Sequence, residues 1–146
     1  MTASRARICA VAAFAALVVS ACGAGGDDGR LTGAKGAYAA KVDPICADLQ
    51  GKLGTLGQNP EKQAADVEAA VNQIKAVPVP KDDDQRARLY IAAMENLYLG
   101  LQDVDQSRRV NDQSRAARAL EGVQINNKTA ADAAKSYGMV ECARQF

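Results

Sequence analysis

Histidine is missing from this chain altogether, and so is tryptophan. The first absence removes His-dependent acid–base catalysis, Ser-His and Cys-His nucleophile pairs, the usual catalytic zinc sites and His-ligated haem. Chemistry built on carboxylates or lysine stays open. However, the chain has no paired-carboxylate pattern, Gly-rich phosphate loop or internal repeat. The expectation is a protein that is not an enzyme and carries no cofactor and no metal. The second absence, with only two phenylalanines and four tyrosines, weighs against sugar stacking and aromatic-cage recognition. It also means that the core has to be made from Ala, Leu and Val by close helix packing. An excess of one charge is lacking as well, with 18 basic against 17 acidic residues. That balance gives no electrostatic reason to expect nucleic acid as a partner.

The longest apolar run is short. Residues 8–19 are apolar or small throughout, within the roughly 7–15 residues of a signal-peptide core and below the roughly 20 needed to span a bilayer. Arg5 and Arg7 precede it as a positive n-region, and Leu17-Val18-Val19-Ser20-Ala21-Cys22 follows. Small residues before a Cys resemble the lipobox of bacterial lipoproteins. The resemblance covers residues 1–22 and implies that the Cys22 thiol receives a diacylglyceryl group and that the chain is cut just before it. Cys22 would then be the first mature residue, on the extracytoplasmic face of the cell membrane. Two acyl chains on one residue meet the two-signal requirement for stable anchoring. The alternatives are an ordinary secretory signal cut after Ala21, and an uncleaved anchor.

Removing residues 1–21 from 146 leaves 125 residues, enough for one domain with a modest core. Arg5 and Arg7 leave with the signal, so the mature net charge is −1. Residues 22–36 hold half of the chain's 12 glycines and read as a flexible tether. Asp27 and Asp28 within it are a weak cation candidate beside the plainer reading of a solvated acidic pair. Cys9 departs with the signal and Cys22 is lipidated, which leaves Cys46 and Cys142. An exported location favours joining them as a disulfide. Two buried free thiols are the alternative, and a metal site would lack half its ligands.

Residues 37–146 carry helical periodicity in four segments. In the first, residues 38–56, Tyr38, Val42, Ile45, Cys46, Leu49, Leu53 and Leu56 share a face. Asp43-Pro44 within it resembles an N-cap followed by a first-turn proline, which predicts a continuous helix only from Asp43. Gly51 and Gly54 weaken its later half and would admit a close neighbour. Asn59 caps and Pro60 opens the second helix, residues 60–76, with Ala64, Val67, Ala70, Val71 and Ile74 buried. Pro78 and Pro80 then force an extended connector. The third helix, residues 82–108, repeats Ala87, Tyr90, Ile91, Met94, Leu97, Tyr98, Leu101 and Val104. Asp82, Asp83 and Asp84 at its start suit capping and the helix dipole better than calcium, because the spacing of a calcium loop is missing. The fourth helix, residues 112–136, buries Ala116, Ala117, Leu120, Val123, Ala130, Ala131, Ala134 and Tyr137, and Gly138 marks its end.

Two clusters in this region are open to a functional reading. Gln124 and Asn127 interrupt the fourth helix's apolar face, either lining a small polar pocket or sitting satisfied at a helix margin. Arg108, Arg109, Arg115 and Arg118 gather at the last turn, either as an anionic-ligand or partner patch or as a solvated mixed-charge hairpin with Asp103, Asp105 and Asp112.

Tyr38, Ile45-Cys46-Ala47, the four helices, and Gly138 followed by Cys142 resemble small helical lipoproteins of high-GC Gram-positive bacteria. The resemblance implies an early-helix Cys paired with one just past the last helix, and it carries over no activity. The expected fold is all-α: an up-and-down four-helix bundle closed by one disulfide, Cys46–Cys142, after a signal peptide and a Gly-rich tether. An up-down-up-down order puts the start of the first helix and the end of the fourth together, which brings the two thiols to one place. The expected function is a membrane-anchored, non-enzymatic cell-envelope module contacting another protein or a small ligand. The alternative is a carrier holding an apolar or amphipathic molecule inside the bundle, for which Gln124 would help to line a cavity.

Overall fold

The computed structural model describes residues 33–146. The expected signal peptide, the expected lipidation site at Cys22 and most of the expected tether therefore lie outside the described residues. Within them stand four helices: α1 (Gly33–Leu53), α2 (Pro60–Lys75), α3 (Asp84–Arg109) and α4 (Gln113–Tyr137), with a short 3₁₀ turn, Lys81–Asp83, leading into α3. No strand occurs among the described residues. The fold is the expected all-α four-helix bundle, and its closest helix pairs are neighbours in sequence, α3 with α4 foremost.

The helix ends follow local chemistry. Asn59 Oδ1 accepts from Lys62 N at 3.3 Å at the start of α2, and Asp112 Oδ1 accepts from Arg115 N at 2.9 Å at the start of α4. Gly138 ends α4 at φ 96°. The Met139 and Gly138 amides both return to the Ala134 carbonyl, at 3.0 and 2.9 Å, in a Schellman-type closure. The apolar stripes of α2 and α3 are buried or half-buried as their periodicity predicts. On α4, Ala117 is exposed, outside the buried face expected of it.

The first helix departs from its local signals. It starts at Gly33, inside the expected tether, and runs through Pro44 instead of beginning at Asp43. An interior proline forfeits one backbone hydrogen bond and costs about 3 kcal/mol. Pro44 is exposed on the outer face, while Tyr38, Ala39 and Val42 before it and Cys46 and Leu49 after it are buried. Burial on both sides, at about 1.5–3 kcal/mol for a large apolar side chain, outweighs the local defect. Gly51 meets nothing on its open side, and Gly54 lies just past the helix at φ 58°. The close approach occurs instead on α3, where a Cβ at Gly100 would stand 2.9 Å from Val123 Cγ2 of α4.

Residues 139–146 do more than trail away from α4. They turn back at Gly138 and run between α4 and α1, with Met139 and Cys142 buried and Ala143 and Phe146 packed on the core. The strap occupies the seam where α1 and α4 would otherwise meet.

Candidate functional site

The disulfide sits in that seam. Cys46 and Cys142 are joined with their Cα atoms 5.1 Å apart, inside the range a disulfide accepts. Both are almost wholly buried. Because α1 starts early, Cys46 lies in the helix middle and not in its first turns. The strap reaches it by running back along α1. Tyr90 of α3 donates its hydroxyl proton to Cys46 Sγ at 3.0 Å, since an oxidised sulfur has no proton to give. Burial pushes the Tyr90 phenol far above its ordinary value, with Tyr38 and Asp43 adding to the shift.

Three side chains bind the strap, and all three bind its backbone. Asp43 accepts from the amides of Val140, Glu141 and Cys142 at 3.1, 3.0 and 3.2 Å. Gln50 Nε2 donates to the Glu141 carbonyl at 2.6 Å. Asn127 donates to the Phe146 carbonyl at 3.1 Å and accepts from the Phe146 amide at 3.3 Å. The local reading of Asp43 as a helix N-cap is thus corrected. Its carboxylate serves amides 97–99 residues away in sequence. Gln124 and Asn127 do not meet in a pocket, because Gln124 is exposed and Asn127 is buried against the strap.

At the opposite end, the α1–α2 and α3–α4 turns are tied together. Arg108 Nη1 donates to the Gly57 carbonyl at 2.6 Å, and Arg109 pairs with Glu61 at 2.9 Å and Asp105 at 2.7 Å. Arg115 pairs with Asp103 at 2.6 Å, and Arg118 donates to Ser114 Oγ. The arginines are engaged with acids, a hydroxyl and a carbonyl, which is the mixed-charge hairpin rather than an open anion site. Val110 at the tip of this end is 64% exposed.

No family model matches this chain, and no curated protein or solved structure is significantly similar to it.

One organising residue carried no sequence signal. Gln63 is buried on α2, where its Oε1 accepts from the Gly57 amide at 2.8 Å. Its Nε2 donates to the Leu53 and Thr55 carbonyls at 2.7 and 2.8 Å. It closes the end of α1 from a position where a glutamine reads as one more polar residue. Among the described residues no group of three or more Cys, Asp or Glu side chains is placed to hold a metal ion, and no helix is long and apolar enough to cross a membrane. The grooves are surface clefts: one between α2 and α3 of about 340 Å³, and one beside α3 of about 590 Å³ lined by Ile91, Val79 and the Lys75–Glu95 pair. A third, of about 350 Å³, lies between the start of α1 and the connector at residues 77–80.

Proposed function

We propose that this protein is an extracytoplasmic lipoprotein, held to the cell membrane through Cys22, whose helical domain is a non-enzymatic interaction module of the cell envelope. The observation that carries the reading is the order of n-region, apolar core and Ser20-Ala21-Cys22 at the start of the chain. The buried Cys46–Cys142 disulfide supports it, because such bonds persist in oxidising, exported compartments. The bundle's polarity orients the domain on this reading. Tyr38 near the start of α1 packs on Tyr137 at the end of α4, ring centroids 5.3 Å apart, so the tethered end and the two tied turns are opposite ends. A helix of 21 residues separates them by roughly 30 Å. On this reading the surface around Val110 and the turn at residues 57–60 faces away from the membrane and meets the partner protein.

The test is intact mass spectrometry and fractionation of the protein from its native membrane. The mature chain should begin at a diacylated Cys22 and travel with membranes, and Cys22→Ser should leave precursor or misplaced soluble protein. An unmodified chain that begins elsewhere overturns the reading.

A further inference from the structure

We propose that the groove between the start of α1 and the connector at residues 77–80 is the face on which the domain sits against the membrane, with an anionic phospholipid of the bilayer as its occupant. The proposal rests on the lipid-anchor reading above. The lining of the groove is mostly apolar, with Ala34, Ala37, Val77 and Pro78 in it, and its two charged residues, Lys41 and Lys81, are both cationic. Asp82 is exposed next to Lys81 but is not among the lining residues. An apolar trough with two ammonium groups suits a lipid, which offers hydrocarbon and a negative headgroup together.

A further observation points the same way. The first turn of α1 holds no acidic residue to complement the positive end of its dipole, and it carries Lys35 instead, its Nζ 5.0 Å from the Tyr137 ring centroid. Among the described residues this end of α1 is therefore cationic, which favours a nearby anion. Position selects the bilayer over a protein partner. Ten residues lie between Cys22 and Gly33, and they join α1 at Gly33, beside Ala34 of the groove, so the groove lies at the end of the domain that the chain from the proposed anchor enters.

The test uses the mature, lipidated protein in vesicles of phosphatidylcholine mixed with phosphatidylglycerol. Benzoylphenylalanine is placed at position 37 in one sample and at position 58, in the distal turn, in another. Photolysis should give phospholipid adducts at position 37, enriched in phosphatidylglycerol, and not at position 58. Each lysine near an anionic surface is worth a factor of about five, so K41Q/K81Q should cut the preference for phosphatidylglycerol about 25-fold, with circular dichroism unchanged. Protein adducts alone at position 37, equal lipid labelling at both positions, or a preference unmoved by K41Q/K81Q overturns the docking face. The anchor reading survives those outcomes if Cys22 is acylated and the protein remains on the vesicles. An unacylated Cys22 in protein from native membranes overturns both.

Discussion

Removing the Asp43 carboxylate separates two accounts of the same residue. In Asp43→Ala the amides of Val140, Glu141 and Cys142 lose one shared acceptor, with Oδ1 serving two of them and Oδ2 the third. A hydrogen bond to a charged group is worth about 1.5–3 kcal/mol. Three such bonds to one half-exposed carboxylate do not add, because water reaches the site beside Val140, which is 65% exposed. A net loss of about 2 kcal/mol is the expectation, equivalent to a fall in Tm of about 10 °C for a domain of this size. The disulfide still holds Cys142, so the damage stays local. Amide exchange at residues 140–142 should quicken about 30-fold, while helical content measured by circular dichroism stays unchanged. Asp43→Asn keeps an acceptor oxygen and loses the charge, and should cost about half as much. An N-cap role would give the reverse signature, with reduced helicity in α1 and a tail unaffected. Unchanged exchange at residues 140–142 in Asp43→Ala would refute the carboxylate as the strap's clasp.

Opening the disulfide should cost more. The closed loop spans 96 residues in sequence, worth roughly 4–5 kcal/mol in the chain-entropy model and about 2–4 in typical measurements. Reduction or Cys46→Ser should therefore lower Tm by about 10 °C or more and leave helicity largely intact at low temperature. Recovery of Cys46 and Cys142 as free thiols by alkylation, in protein isolated without reductant, would contradict the bridge. The buried tyrosines predict an alkaline limit. Burial raises the Tyr90 phenol, with Tyr38 and Asp43 contributing, and burial raises Tyr38 itself. An acid whose folded pKa lies above its unfolded value of about 10 adds stability that is complete below that value and is lost as the pH rises beyond it. Unfolding above about pH 10 should coincide with phenolate absorbance, and Tyr90→Phe should make the alkaline loss shallower. Phenolate appearing at an ordinary pH in a still-folded domain would refute the burial argument.

Clean periodicity and clean punctuation were enough to specify most of the helices. Asn59-Pro60, Asp112 and Gly138 act through groups within a few residues of themselves, so their roles are decided by local hydrogen bonds. The stripe from Ala87 to Val104 needs only a partner of any kind to be buried. The pairing of Cys46 with Cys142 was legible from four alternating helices that bring the two chain ends to one side, but the meeting of Cys142 with a Cys46 in the middle of α1 depends on the strap running back along that helix. Tertiary structure decided the rest. Asp43-Pro44 has the local form of a helix start, yet packing on either side of Pro44 carries α1 through it, and the carboxylate is claimed by distant amides. Asn127 and Gln63 are amides whose partners, at Phe146 and at Leu53, Thr55 and Gly57, become neighbours only after the helices pack. Periodicity reports which side of a helix is buried. It does not report which polar group on that side will find an orphaned backbone donor or carbonyl, because that depends on the meeting of segments far apart in the chain.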